Sequence, residues 1–208
     1  MVKVNTGDSH PEDEDEGEAG HGTEGDRRTQ LLDAAADHVA AHGIADLSLR
    51  RLGAAIGVSH RMLIHYFGSK EQLLIEIVRT SERRQRDLLS RLRLEPGLAP
   101  AEVARMLWQQ LTDPRLAGQE RLFFEVCGHA LRGRPEAVPV LEGLVTDWLE
   151  PLVAAEIGAG ADPAVARNRA RLGLATVRGL LLDLLATGDR AGVDAAMEEF
   201  LRLYYGSE

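Results

Sequence analysis

The sequence has little of what secreted and membrane proteins need. Cys127 is the single cysteine, so the chain has no internal disulfide framework and no cysteine-based zinc site. The longest apolar runs, such as GLLLDLLA at 179–186, are too short and too interrupted to cross a bilayer. The N-terminus has no apolar signal region. These absences predict a protein of the reducing cytoplasm with no membrane partner.

Strand patterns and aromatic residues are scarce as well. Aromatic residues make up 4% of the chain, and no long stretch alternates apolar with polar residues. Ala, Leu, Arg and Glu dominate instead, and these residues favour helices. We therefore predict an all-α fold, with Pro139 and Pro151 kinking or splitting one of its helices. The predicted helices cover residues 28–42, 49–55, 60–66, 70–92, 101–112, 115–132, 136–157, 163–187 and 189–205.

Motifs of helical enzymes are also missing. No pair of Glu-x-x-His motifs suits a di-iron bundle, since Glu125 and His129 lie four residues apart. No nucleophile elbow and no Gly-rich phosphate loop is present. His38 and His42 have a spacing that metal ligands use, but no carboxylate completes a zinc-protease motif between them. We predict no enzyme, no metal site and no cofactor.

The net charge of −9 is unevenly distributed along the chain. Residues 1–26 carry nine acidic side chains against Lys3, whereas residues 27–86 carry ten Lys or Arg and six Asp or Glu. The acidic, Gly-rich tail has too few large apolar groups to order itself, so residues 1–26 are predicted to be disordered. The tail either only keeps the chain in solution or competes with nucleic acid for the basic segment.

The basic segment contains the pattern of two short helices joined by a turn. Ser48 is placed to cap the first helix, and Ser59 the second. Gly57 supplies the turn between them, and Ser69 opens the long helix that follows. Two short helices in this arrangement form a helix-turn-helix, whose second helix fits the major groove of DNA.

The second short helix has two chemically different faces. Leu63 and Phe67 form an apolar stripe that predicts contact with a small core. Arg61 projects from the other face, where its guanidinium can donate two hydrogen bonds to guanine. Met62 and Ile64 are placed to pack on thymine methyl groups.

The stretch LSLRRLGAAIGVSHRMLIHYFGSKEQLL (47–74) closely resembles the DNA-binding segment of tetracycline-repressor-like (TetR family) regulators. The resemblance covers about residues 27–75. It implies a three-helix DNA-binding domain over residues 27–73. It also implies a larger helical domain over residues 74–206 that binds a ligand and dimerises. The resemblance of this second part rests on its length and helix count alone.

The resemblance also implies which residues contact DNA. The family commonly has Tyr, which contacts phosphate, where this chain has Ile64, so Tyr66 or His65 is expected to replace that contact. Tyr66 also lies near the apolar stripe, where a structural role is an equal alternative. Arg50 and Lys70 are expected at phosphates. The full expected set is Ser48, Arg50, Ser59, His60, Arg61, Met62, Ile64, His65, Tyr66 and Lys70.

The second half contains unusual side chains for a chain so poor in aromatics. Pockets are mostly apolar with a few polar groups, so these side chains are candidates for a ligand site, although each is also an ordinary core candidate. Arg178 interrupts an apolar helix and must find a carboxylate such as Glu125 or Asp183, a ligand anion or solvent. The candidate ligand residues are Trp108, Phe124, Cys127, His129, Trp148 and Arg178.

The last two helices carry stripes that suit a helix-to-helix interface. Two copies would pack as a four-helix interface and place two reading helices on a palindromic operator. The alternative is that the stripes are covered by their own chain. The candidate interface residues are Leu172, Ala175, Gly179 and Leu182, followed by Val193, Met197, Phe200 and Tyr204.

These patterns together predict a DNA-binding transcriptional regulator. The family's common mode is a dimeric repressor that a small molecule releases from its operator, and we expect that mode here. Control by a protein partner, or no effector at all, is the alternative. An activator is the alternative to a repressor.

Overall fold

The computed structural model describes residues 24–43, 47–158 and 160–206. All regular structure in these residues is helical, which confirms the predicted all-α fold. Two 3₁₀ segments, Pro114–Leu116 and Val138–Leu141, join some of the helices. The α-helices are α1 (Glu24–His42), α2 (Leu49–Ala55), α3 (His60–Phe67), α4 (Lys70–Leu94), α5 (Pro100–Leu111), α6 (Ala117–Leu131), α7 (Thr146–Gly158), α8 (Pro163–Thr187) and α9 (Arg190–Tyr205).

The first helix starts earlier than predicted. α1 begins at Glu24 and not at residue 28, so the last three residues of the predicted tail are helical. Glu24 and Asp26 lie in the first turn, where carboxylates interact favourably with the positive end of the helix dipole. The rest of the predicted tail, residues 1–23, lies outside the described residues.

The helix predicted over residues 136–157 is two segments. Val138–Leu141 forms a 3₁₀ turn that contains Pro139, and Gly143 follows with a φ of +76°. A proline has no backbone N–H, and a positive φ leaves the helical region, so an α-helix does not pass through this stretch. α7 then begins at Thr146 and continues through Pro151. The predicted split therefore occurs at the first proline and not at the second.

The helix-turn-helix packs on a hydrophobic core through its inner stripe. Leu52 and Leu63 are fully buried, and Phe67 is 4% exposed, which confirms the predicted inner stripe. Arg28 of α1 adds a link that the sequence did not reveal. Its guanidinium lies 2.5 Å from the Glu76 carboxylate of α4 and 5.1 Å from the centre of the Phe67 ring. α1, α3 and α4 are thereby tied together.

The same core continues into the second half of the chain. Leu122 and Val126 of α6 belong to the hydrophobic cluster that contains the helix-turn-helix core. At the start of α6, Gly118 lies so close to α1 that a Cβ there would be 2.6 Å from the Cα of Gly43 and 2.9 Å from the carbonyl oxygen of Val39. The boundary predicted after residue 73 therefore falls within one continuous core.

The remaining helices enclose a second region. Trp108 of α5 packs with α8 and α9 in one cluster, and Trp148 of α7 packs with α4 and α5 in another. A cavity lies between these clusters. Among the described helices, none is both long enough and apolar enough to span a membrane.

Candidate nucleic-acid interface and candidate effector cavity

Two serine caps define where the short helices begin. The hydroxyl of Ser48 accepts a hydrogen bond from the backbone N–H of Arg51 at 3.2 Å. The hydroxyl of Ser59 does the same for Met62 at 3.2 Å. Both predicted caps are therefore confirmed. Each hydroxyl keeps its own hydrogen, which remains available to an acceptor such as a phosphate oxygen.

Gly53 sets how closely α3 approaches α2. A Cβ at this position would lie 2.7 Å from the carbonyl oxygen of Val58 and 3.3 Å from the backbone nitrogen of His60. These atoms belong to the backbone and cannot move aside cheaply. Sequence reasoning missed this residue, although a glycine inside a seven-residue helix is a recognisable signal because it weakens the helix.

The face of α3 predicted to read bases is open. Arg61 and His65 are exposed, and Ile64 is 45% exposed. The opposite face, with Leu63 and Phe67, is buried. The helix thus presents a guanidinium and an imidazole on a rigidly seated element, which suits entry into a groove.

Two of the predicted contacts are partly used inside the protein. Met62 and Tyr66 are half-buried and pack on the core of the helix-turn-helix. The backbone carbonyl of Tyr66 also accepts a hydrogen bond from Arg28 at 3.4 Å. Lys70 is half-buried at the start of α4. The other predicted contacts are exposed: Ser48, Arg50, Ser59 and His60.

Residues 31–77, which include α2, α3 and the turn between them, match the family model of bacterial regulatory proteins of the tetR family. The likeness extends to the whole architecture. A transcriptional regulator from Rhodococcus sp. RHA1 has a TM-score of 0.65 and 25% identity, over 85% of this chain and 95% of that one. Residues 31–77 thus form a DNA-binding segment of the TetR-family type, and the fold of the chain is similar to that of a solved transcriptional regulator.

Two further relatives differ in how much of this chain they cover. The HTH-type transcriptional regulator BetI from Agrobacterium fabrum is 41% identical over 54 residues, which are 26% of each chain. The match thus spans about a quarter of that curated relative. The multidrug binding protein EbrR, solved in complex with imidazole, has a TM-score of 0.55 and 27% identity, over 85% of this chain and 89% of EbrR.

A cavity of about 430 Å³ lies in the second half of the chain. Its walls come from α4, α5, α6, α7, α8 and α9. Three of the predicted ligand residues, Trp108, Trp148 and Arg178, line it. Its volume is in the range of small-molecule sites, and aliphatic and aromatic side chains form most of its wall.

The other three predicted ligand residues do not line the cavity. Only the first half of α6 borders it, at Glu120 and Phe123. Cys127 and His129 belong to the second half of α6, and Phe124 packs between two core clusters. Burial in that core raises the pKa of the Cys127 thiol to about 11, so the thiol stays protonated.

Arg178 finds its carboxylate on α4. Its guanidinium lies 3.0 Å from Glu82 and also donates to the backbone carbonyl of Leu144 at 2.9 Å. The partners predicted for it, Glu125 and Asp183, are not used. Glu82 also accepts a hydrogen bond from the indole N–H of Trp148 at 2.7 Å. Burial still raises the pKa of Glu82, despite these favourable partners.

A second buried carboxylate, Glu120, lies beside Glu82 and Arg178. Glu120 is 3% exposed and accepts a hydrogen bond from the side-chain amide of Gln85 at 2.7 Å. Burial, followed by repulsion from Glu82, raises the pKa of Glu120 to about 8. Sequence reasoning missed Glu82, Gln85 and Glu120, because polar side chains on amphipathic helices usually face solvent.

The opposite end of the cavity is less buried and contains both charge signs. Tyr204 donates a hydrogen bond to Glu156 at 3.2 Å, and Arg169 lies 3.8 Å from the same carboxylate. Burial, followed by the charge of Glu156, raises the pKa of Tyr204. Arg93 donates to the backbone carbonyl of Pro151 at 2.7 Å.

The two predicted interface stripes have different outcomes. On α8, Leu172 is 58% and Leu182 is 50% exposed, and Ala175 and Gly179 between them are exposed too. The α9 stripe faces its own chain, which agrees with the alternative that the sequence left open. Val193 and Met197 are buried in the cluster that contains Trp108, and Phe200 and Tyr204 line the cavity.

Proposed function

We propose that this protein is a sequence-specific, DNA-binding transcriptional regulator. The observation that carries the proposal is α3, whose exposed face offers Arg61 and His65 while Leu63 and Phe67 hold the helix on its core. The match of residues 31–77 supports the same conclusion, since the matching family model describes bacterial regulatory proteins. The site of action is then the cytoplasm, where a bacterial chromosome lies.

We propose further that the protein acts as a homodimer on a palindromic operator. The exposed stripe of α8 supports this, because its leucines are large apolar groups and its small residues let a partner helix approach closely. Two-fold symmetry of the protein requires a matching symmetry in the DNA, with half-sites about one helical turn, or a multiple of it, apart.

A small molecule in the cavity is proposed to release the repressor from DNA. Two helices link the cavity to the helix-turn-helix. α4 begins directly after α3 and lines the cavity from Glu82 to Arg93, whereas α6 touches α1 at Gly118 and reaches the cavity at Glu120. A ligand that favours another position of either helix shifts the population towards a spacing that fits the operator less well.

The related protein EbrR, which is solved in complex with imidazole, supports a small-molecule effector over the alternative of a protein partner or no effector. A thermal-shift screen separates these cases, since a ligand that binds the folded state raises the melting temperature. A ligand that raises it and also weakens DNA binding favours the small-molecule mode.

The experiment that tests the DNA function is selection from random duplexes by the full chain at low salt. A pseudo-palindrome should be enriched, with two half-sites in the spacing of a dimer. Phosphate attraction is strongest at low salt, so a failure to enrich any sequence under these conditions contradicts the proposal.

A further inference from the structure

The polar end of the cavity contains one more negative group than positive groups. Among the lining residues at this end, two carboxylates, Glu82 and Glu120, face one guanidinium, Arg178, while Arg86 also acts on Glu82 without lining the cavity. Arg178 donates a hydrogen bond to Glu82 at 3.0 Å, and Glu120 accepts one from the neutral amide of Gln85 at 2.7 Å. Glu82 is thus paired directly with a guanidinium, whereas the hydrogen-bond partners of Glu120 are the neutral amides of Gln85 and Gln119 and it feels Arg178 only at longer range.

Burial makes this imbalance costly. Glu120 is 3% exposed, so water cannot solvate its negative charge well. The pKa of Glu120 is raised to about 8 by burial first and by Glu82 second, so the carboxyl holds a proton at neutral pH. The hydroxyl of Ser81 in the adjoining recess is buried without a hydrogen-bond partner.

The walls beside the polar end are aromatic. Phe123 already accommodates one cation, since the guanidinium carbon of Arg178 lies 5.2 Å from the centre of its ring. Trp148 and Trp108 add two indole rings to the lining. Aromatic faces attract cations through their negative electrostatic potential, and they also cover apolar groups.

The cavity is long enough for an extended ligand. Along α4 it runs from Glu82 to Arg93, a rise of about 16 Å at 1.5 Å per residue. Arg93 and Arg169 lie at the less buried end, and Glu82 and Glu120 at the deeply buried end. A ligand with its positive charge at one end therefore fits with the charge inward.

We propose that the cavity binds an organic cation whose positive charge lies against Glu120 and Glu82 and whose apolar body extends along the aromatic and aliphatic wall towards Arg93 and Arg169. The inference rests on the proposed function, because it names the class of effector for the same cavity. A permanent cation displaces the proton of Glu120 into solvent and takes its place as the balancing charge.

The first test compares three probes that share an eight-carbon chain: octyltrimethylammonium, 1-octanol and octyl sulfate. Isothermal titration calorimetry with the full chain at pH 8 should give the tightest binding for the cation, by about tenfold or more over the alcohol. Octyl sulfate should bind most weakly. The inference is overturned if the sulfate or the alcohol binds as tightly as the cation, or if the cation does not bind.

The second test uses pH and a matched pair of variants. The groups that face Glu120 are Glu82 and Gln85 from α4, Gln119 from α6 and Arg178 from α8. Octyltrimethylammonium does not titrate, so the pH dependence of its affinity comes from the protein. As pH is raised towards 8, its affinity should increase by up to about tenfold per pH unit, because the carboxyl of Glu120 loses its proton more easily.

Glu120→Gln removes the ionisable group at nearly constant volume. It should bind octyltrimethylammonium about tenfold more weakly at pH 8 and should lose most of the pH dependence. Glu125→Gln changes an exposed carboxylate on the same helix and should behave as the native protein. Glu82→Gln is measured in parallel because burial also raises the pKa of Glu82. An unchanged pH dependence in Glu120→Gln refutes the inference.

DNA binding, measured separately, distinguishes the two levels of the account. If selection enriches a palindrome but octyltrimethylammonium neither binds nor releases it, the inference fails and the proposed function stands. If the cation binds in the expected order but no duplex is enriched, the cavity chemistry stands and the regulator function fails. Cation binding that also releases the enriched duplex supports both.

Discussion

Gly53 and Glu120 are residues whose type is unexpected for their position in a helix. A glycine weakens the short helix α2, and a carboxyl group is costly inside a core. The structure gives each a reason. Gly53 allows the backbone of the α2–α3 turn to approach closely, and Glu120 lies at the polar end of a cavity. Neither reason is visible in the local sequence, because both depend on what another segment places next to the residue.

Gly53→Ala should disrupt the helix-turn-helix. The new Cβ would lie 2.7 Å from the carbonyl oxygen of Val58, so we expect a loss of about 1–3 kcal/mol in the free energy of unfolding. Gly128→Ala is the matched control, since its Cβ would meet nothing within 4 Å in α6. It should be neutral or stabilising by up to about 1 kcal/mol. Urea denaturation of both variants checks this, and equal stabilities contradict the close approach.

Glu120→Gln should change how stability depends on pH. The pKa of Glu120 is raised to about 8 in the folded state, so between its ordinary pKa and pH 8 the folded state binds more protons than the unfolded state. The contribution of Glu120 to stability is therefore fully present at low pH and is lost as pH rises through 8. The variant should gain stability over the native protein at pH 9, on the order of a few kcal/mol, and little at pH 4.

Thermal denaturation of the native protein and Glu120→Gln across this range measures the difference directly. Glu125→Gln provides the reference for an exposed carboxylate on α6. If the advantage of Glu120→Gln is the same at pH 4 and pH 9, the carboxyl of Glu120 is not the buried, protonated group described here.

The residues at which helices begin and end were far more predictable from the sequence than the neighbours that cover each helix face. The serine caps and the prolines place most helix ends correctly, because these signals act within one turn of the chain. The orientation of α9 was not predictable in this way. An apolar stripe predicts a buried face, but α9 could be covered by its own chain or by a second copy, and Met197 shows that its own chain covers it.

The residues that line the cavity were predictable from the sequence only in part, for the same reason. Trp108, Trp148 and Arg178 were identifiable because a large aromatic or a charged residue in an apolar helix is unusual. Phe123 and Phe124 are adjacent, and only the first lines the cavity. The choice between them depends on how α6 is rotated against α4 and α8, which is a property of tertiary packing.

The contact between α1 and α6 is expected to transmit the ligand signal. In Gly118→Ala the new Cβ would lie 2.6 Å from the Cα of Gly43, so the start of α6 must move away from α1. We expect a loss of about 1–3 kcal/mol in stability and a smaller effect of a bound ligand on DNA affinity. Gly128→Ala, on the same helix, should keep the full effect. DNA anisotropy with and without octyltrimethylammonium checks this, and an unchanged ligand effect in Gly118→Ala assigns the signal to α4 instead.

For the whole molecule, the exposed stripe of α8 predicts the oligomeric state. The double variant Leu172→Glu and Leu182→Glu places charges where a partner helix would pack, and desolvating them is unfavourable. The native protein should sediment as a dimer and the variant as a monomer. Leu131→Glu is the control, because Leu131 is a 76% exposed leucine on α6. A double variant that remains dimeric shows that the interface lies elsewhere.

The charge of the whole molecule is a poor guide to its partner. The chain is negative overall, but the segment that contains the helix-turn-helix has an excess of Lys and Arg. Local charge decides contact with phosphates, so DNA affinity should fall as salt rises in spite of the net charge of −9. The central claim is that the exposed face of α3 reads bases from this local surface.

The measurement that tests this claim most directly is fluorescence anisotropy on the selected duplex and on a scrambled duplex, for native protein, Arg61→Ala and Arg132→Ala. Arg132 is an exposed arginine at the end of α6 and serves as the charge control. Loss of a bidentate contact to guanine costs about 1–3 kcal/mol at that base pair. Arg61→Ala should therefore lose most of the preference for the selected duplex, while Arg132→Ala keeps it. Equal preference in Arg61→Ala and the native protein would contradict base reading by α3.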